Sequence, residues 1–365
     1  MTLLKTIRFV LPTLLFGYAI AANLHLVTAA PAMALPRDDL LSGGLTRDFD
    51  GLYRKDLWHR SWSVGLVGAA RYVFLGEGRD GVIVGSDGWL FTAEEARTMP
   101  EGTGDLNGSV AGVTAIRDRL KAAGTELVIV PLPAKIDIAA VHAPDALLGP
   151  LMAMRHAAFM AGLAKAGITT VDARTPLIAA GDDAPTFFAT DTHWTPEGAT
   201  AVAQAVAASG MVTHGSQAFT VMADAEKPLI GDLVGFVTTA ALAPQLGLRP
   251  ETVTPYTVVP ATGADTLSDL LGDTAAETVL VGTSYSANSD WGFNAALMLA
   301  LGRDVVSMAA PGQGPVAPML RYLDSPAFRD APPQVVIWEF PVRALSDPAL
   351  WAPAPDTVEG ETSNG

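Results

Sequence analysis

Apolar positions follow two rhythms along this chain, and their order lays out a fold. Glu126 to Leu132 and Gln334 to Phe340 are continuous apolar runs of the kind that fill strands buried on both faces, and Thr278 to Val281 is a shorter one. Thr169 to Asp172 and Asp304 to Met308 read as two further strands. Between them, Val110 to Ala123, Leu147 to Ala166, Trp291 to Leu301 and Val316 to Leu323 carry apolar residues at helical spacing, and Gly124 and Gly167 stand where the first two helices should stop. Thr195 is placed to cap another helix, with Pro196 at its first position and Gly210 beyond its end. About five buried strands alternating with helices predict an α/β sandwich around a mostly parallel central sheet.

The remaining segments are less regular. From Pro36 to Asp80, Trp58, Trp62, Tyr72 and Phe74 point to one or two amphipathic pieces that dock on a core, and Gly81 to Phe91 reads as a hairpin around Ser86-Asp87-Gly88. Between 211 and 276 periodicity is weak and Pro and Gly are frequent, which predicts an irregular insertion. At the N-terminus Lys5 and Arg8 precede the apolar run Phe9 to Ala22, and Ala32-Met33-Ala34 offers a small-x-small cleavage site. Asn23 and His25 interrupt that run short of a membrane span of about 20 residues. The expected organisation is therefore an export signal or N-terminal membrane anchor over 1–34, one large domain over 35–350 with the insertion inside it, and a disordered Pro-rich tail over 351–365.

Composition narrows the function classes. With 49% apolar and 17% charged residues, the chain can bury a substantial core. It has no cysteine, which excludes disulfides and thiolate metal sites. A formal charge of −15 without clustered Lys and Arg disfavours nucleic acid. A polyanionic substrate would need a locally basic groove, whereas a neutral glycan or small ester would not.

The chemistry concentrates in Asp191-Thr192-His193-Trp194 and Gly282-Thr283-Ser284-Tyr285-Ser286. A hydroxyl needs a base to become a nucleophile, and that base needs a carboxylate to orient it. Ser284 falls at the carboxyl end of a strand just before a helix, where reactive groups collect in open α/β sheets and where free backbone N–H groups suit a developing oxyanion. His193 sits in a loop entering a helix, with Asp191 two residues before it. Each stretch alone also fits a simpler reading, with Ser284 and Ser286 as turn or cap residues and Asp191 closing a local turn onto His193. His142 and His156 read as exposed loop and helix residues and His214 belongs to the irregular segment, so a metal site is not expected.

Together these stretches resemble the SGNH-hydrolase-like O-acetyltransferase domain of the alginate acetylation proteins AlgX and AlgJ. Asp87-Gly88-Trp89-Leu90-Phe91, Pro131-Leu132-Pro133-Ala134-Lys135, Gly231-Asp232-Leu233, Gly312-Gln313-Gly314-Pro315 and Trp338-Glu339-Phe340-Pro341 match as well, so the resemblance spans roughly residues 75 to 345. It implies an SGNH-like fold with acid and base preceding the serine, a permuted motif order, and it makes Ser284 the nucleophile, His193 the base and Asp191 its partner. Ser286 is the alternative hydroxyl. Tyr285, Trp194, Gln313 and Asn288 are the residues expected to contact substrate.

Two departures qualify the match. The carbohydrate-binding domain that AlgX carries is not expected here, and Gln313 stands where a basic residue is expected in alginate-acting members. An exopolysaccharide other than alginate thus stays open.

The expected function is O-acetylation of an exported polysaccharide, in the periplasm or tethered to the inner membrane, with no cofactor and no metal. The resemblance implies a membrane-bound O-acyltransferase partner that passes acetyl groups outward, alongside other exopolysaccharide export and synthesis proteins. Two alternatives are a carbohydrate acetyl esterase on the same three residues and a non-catalytic glycan-binding assembly subunit using Trp89, Trp194, Trp291 and Trp338 as stacking surfaces.

Overall fold

The computed structural model describes residues 2–29, 50, 51, 53, 60–97, 106–261 and 277–351. The Ala32-Met33-Ala34 site, Trp58 and the tail after Ala352 lie outside the described residues. The hairpin is formed by β1 (Val82–Val84) and β2 (Leu90–Thr92), paired antiparallel. Asp87 and Gly88 both adopt positive φ, 53° and 80°, at its turn, the backbone a tight hairpin needs and one that Asp and Gly tolerate best.

The central sheet has four strands in the order β3 (Glu126–Leu132), β10 (Val335–Pro341), β8 (Thr278–Val281) and β9 (Val306–Ser307). All its pairings are parallel, with Val335 opposite both Glu126 and Thr278. Alternate residues of β10 enter different apolar clusters. Val335 and Ile337 pack with the helices Pro196–Ala208 and Phe293–Leu301, while Val336, Trp338 and Phe340 pack with Asn107–Ala122, Leu148–Lys165 and Val316–Leu323. That two-sided burial is why β3 and β10 read as unbroken apolar runs.

Two expected strands are shorter than their sequence pattern. Thr169 to Asp172 contributes only a single bridge, Ile129 to Thr170, because Asp172 turns away to accept the N–H groups of Arg174 and Thr175 at the next helix start. Asp304 to Met308 yields the two-residue β9, whose residues are exposed at the sheet edge. The segment expected to be irregular carries two small antiparallel sheets, β4 (Phe219–Ala223) with β7 (Tyr256–Pro260) and β5 (Lys227–Leu229) with β6 (Glu251–Val253). These strands are too short and too little buried to imprint an alternating pattern.

One amphipathic piece before the hairpin is the helix Arg60–Leu75, packed through Gly65 and Gly68 against the backbone around Val237. The N-terminal run forms the helix Thr2–Ala29, and among the described residues no helix is long and apolar enough to cross a membrane.

Candidate active site

Parallel strands bring their carboxyl ends to one edge, and the chemistry-bearing loops gather there. Ser284 opens the short helix Ser284–Ala287 directly after β8, and Thr283 caps that helix. His193 and Asp191 lie in the loop that Thr195 closes, where the Thr195 hydroxyl accepts the Gly198 N–H at 3.1 Å. In this arrangement the Ser284 hydroxyl lies 2.8 Å from His193 Nε2, and His193 Nδ1 lies 2.6 Å from Asp191 Oδ1. A proton on Nδ1 held by the carboxylate leaves Nε2 free to accept the serine proton. Asp191 also accepts the backbone N–H of His193 at 2.9 Å, so the local turn and the long-range contact with Ser284 coexist.

The aspartate is locked from a second side. Its Oδ2 accepts the Asp232 N–H at 2.9 Å, and Asp232 Oδ1 accepts the N–H of Thr192 at 2.8 Å. Burial pushes the Asp191 carboxyl up, but the hydrogen bond and charge of His193 and the amides of Asp232 and His193 outweigh it and hold the carboxyl below its usual range. Asp191, His193 and Asp232 are also the group among the described residues whose metal-ligand-type atoms lie within 4.8 Å of one another, yet both imidazole nitrogens and both Asp191 oxygens are engaged in these bonds.

Two aromatic rings fix the imidazole. Trp291 stacks on it with centroids 5.3 Å apart and planes 24° apart, and Tyr285 meets it edge-on at 4.9 Å. The Tyr285 hydroxyl donates to Thr192 O at 2.8 Å and accepts from Arg343 at 2.7 Å. Arg343 follows β10 and also donates to Glu94 at 3.0 Å.

Buried charges that were not singled out from the sequence brace both loops. Lys135, fully buried after β3, donates from Nζ to the carbonyls of Leu90, Ala189 and Asp191 at 2.6, 2.9 and 2.8 Å. Burial lowers its pKa to about 8, against the opposing pull of Glu95, Glu251, Asp191 and Asp232. Glu339, fully buried on β10, accepts from Thr283 N at 2.9 Å, from Thr283 Oγ1 at 3.0 Å and from Ser286 Oγ at 2.7 Å. Glu251 of β6 accepts from the N–H groups of Ala189 at 2.8 Å and Thr190 at 3.0 Å, so the insertion holds the loop that carries Asp191. Lys135 and Glu339 both fall inside matching motifs, and that was the available signal. A charged residue inside an apolar strand end is costly unless it has partners.

The other expected site residues divide. Ser286 is bound to Glu339, while the His193 ring bonds Asp191 and Ser284. Trp194 and Tyr285 are not at the surface: both are buried in the core, and Trp194 Nε1 donates to Tyr285 O at 3.1 Å, so neither ring is available to substrate. Gln313 is exposed, and its side chain takes a hydrogen bond from Arg321. Asn288 is half-buried and lines a cavity of about 340 Å³ with Tyr256, Ala287 and Asn294. Trp291 and Trp338 are buried as well, which removes them with Trp194 as glycan-stacking surfaces, while half-buried Trp89 stacks on His142 at 4.7 Å. His156 is buried, not exposed as expected: its Nε2 donates to Pro131 O at 3.2 Å, and burial lowers its pKa. Ser284 is the first residue of its helix, so its backbone N–H has no intrahelical acceptor.

A parallel α/β sheet with an acid, an imidazole and a serine hydroxyl in line at its carboxyl edge is the arrangement expected of an SGNH-hydrolase-like protein. The family described as SGNH hydrolase-like domain, acetyltransferase AlgX, matches residues 82–342, and the chain belongs to this family of acetyltransferases. The chain is 37% identical over 311 residues to the probable alginate O-acetylase AlgJ of Pseudomonas syringae pv. tomato, covering 84% of this chain and 80% of that protein. It is also 37% identical over 317 residues to the AlgJ of Pseudomonas aeruginosa, covering 84% and 81%. The solved O-acetyltransferase domain of Pseudomonas putida AlgJ superposes with a TM-score of 0.64 at 34% identity, over 73% of this chain and 93% of that one.

Proposed function

We propose that this protein transfers acetyl groups onto hydroxyls of an exported polysaccharide through an acetyl-serine at Ser284. The reading rests on one observation above all: His193 joins Asp191 at 2.6 Å and Ser284 at 2.8 Å in a single line. In the first half-reaction Ser284 Oγ attacks the carbonyl carbon of an acetyl ester while His193 Nε2 takes the serine proton. The ester bond to the donor oxygen then breaks, and His193 returns the proton to that oxygen. In the second half-reaction the sugar hydroxyl gives its proton to His193 and attacks the acetyl carbon, and Ser284 leaves with that proton. Asp191 keeps the imidazole in the tautomer that can accept on Nε2. The Ser284 N–H, at the first position of its helix, is a donor for the oxyanion of each tetrahedral intermediate.

The relatives named as alginate O-acetylases support a polysaccharide acceptor, and alginate is the first polymer to test. The acetyl donor is assigned to a membrane-bound O-acyltransferase partner, and the site of action to the periplasmic side of the inner membrane, in keeping with the positive-then-apolar N-terminus. Incubation with an activated acetyl ester, with and without oligosaccharides of the candidate polymers, tests the reading. Acetylated oligosaccharide is the expected product. Free acetate at a rate indifferent to every acceptor would make the protein an esterase.

A further inference from the structure

The helix Arg60–Leu75 presents one face to the protein and another to nothing described. Its small residues Gly65, Gly68 and Ala69 are buried against the segment around Val237, and the Thr238 hydroxyl donates to Gly65 O at 3.0 Å, which fixes the helix in rotation. At 3.6 residues per turn Trp62, Val73, Leu66, Phe74 and Val67 then share an arc of roughly 140° that begins beside the buried one, with the small exposed residues Ala70 and Ser63 inside it. Each of the five large residues is more than half exposed, Phe74 at 82%. A face this rich in exposed large apolar side chains, interrupted only by the small Ser63, marks an interaction site.

The charges around that arc select its occupant. The helix contains no carboxylate, and Arg60 and Arg71 lie on the same rim about 16 Å apart along it, on a chain whose formal charge is −15. Arg71 reaches Glu77 at 3.1 Å, but both side chains are largely exposed, and such a pair holds weakly. Two copies packed antiparallel, face to face, would bring Arg60 of one toward Arg71 of the other, which opposes that form of self-association. An anionic lipid surface offers phosphates to the arginines and acyl chains to the apolar arc, with Trp62 at the depth where indoles settle. The N-terminal helix Thr2–Ala29 adds a second apolar surface, with Phe9, Leu14, Phe16 and Ile20 exposed and no acidic residue along its length.

We propose that the helix Arg60–Leu75 lies in the headgroup layer of an anionic membrane and seats the catalytic domain on it. This is independent of the acyl-transfer reading. The absence of cysteine permits a clean test on the full chain. Leu66→Cys carries an environment-sensitive nitrobenzoxadiazole label, and Lys121→Cys, on the separate helix Asn107–Ala122, carries the same label as a control. Both are mixed with vesicles of equal parts phosphatidylethanolamine and phosphatidylglycerol, and vesicle-bound protein is isolated by flotation, so that binding through the N-terminal helix alone is scored separately. The expected result is a blue shift and several-fold brightening at position 66, none at 121, and loss of the response at 66 when Arg60→Glu and Arg71→Glu are added with the melting temperature retained. An unchanged label at 66 on floated protein overturns the proposal, as does a label already blue-shifted without vesicles, which would place the face against the chain itself or a second copy. A response that requires added membrane proteins overturns it too, in favour of a protein partner.

Discussion

Glu339 Oε2 accepts the hydroxyl of Ser286 at 2.7 Å, so the second serine of Gly-Thr-Ser-Tyr-Ser is tied to β10 while Ser284 faces His193. Two hydroxyls that sequence places almost equivalently are thereby given different work. Ser284→Ala is expected to lower acetyl-ester turnover by roughly a thousandfold or more. Ser286→Ala leaves Glu339 its two bonds from Thr283 and should cost less than about tenfold in turnover and about 1 kcal/mol in stability. Steady-state kinetics and thermal melts of the two variants check the contrast.

Lys135 holds three carbonyls from two segments, one in β2 and two in the loop that carries Asp191. Lys135→Met would remove the ammonium donor from all three carbonyls, with the Leu90 N–H left on Ala189 O, and would leave Arg343 as the remaining cation acting on buried Glu95. Destabilisation of roughly 3 kcal/mol or more is expected in denaturant unfolding. Turnover of the folded fraction should fall as well, because the Asp191 carbonyl is one of the three.

The loop carrying Asp191 and His193 depends on the insertion for its position, since Glu251 binds two of its backbone N–H groups. Glu251→Ala should therefore reduce kcat by about tenfold, the equivalent of about 1.4 kcal/mol. KM for a small acetyl ester should stay near its wild-type value, because Glu251 touches no substrate.

How much of this was legible beforehand follows from burial. The strands β3 and β10 were readable because both faces are covered, and Asp191, His193 and Ser284 because each sits beside a turn or cap signal in a matching motif. Trp194 and Tyr285 were misread as substrate residues, since an aromatic ring next to a reactive residue can face outward or pack beneath it, and spacing does not say which. Lys135, Glu251 and Glu339 act through partners about 40 to 60 positions away, a distance over which no local pattern operates. The short strands β4 to β7 bury too little of either face to leave a period.

The Asp191 carboxyl is held below its ordinary range in the folded protein, so between its folded and unfolded values the unfolded chain binds more protons. Its contribution to stability is complete above about pH 4, the unfolded value, and is lost as pH falls through the folded value. Melting temperatures of wild type and Asp191→Asn should therefore differ most at neutral pH and converge in acid. A gap that stays constant or widens as pH is lowered would contradict the hydrogen-bond pattern assigned to this carboxylate.

The most direct test of acyl transfer through Ser284 is the mass of the protein itself after brief exposure to an activated acetyl ester without acceptor. One added acetyl group, mapped by peptide sequencing to Ser284, absent in Ser284→Ala and discharged when acceptor oligosaccharide is supplied, is the predicted result. An adduct at Ser286, or full turnover by Ser284→Ala, would contradict it.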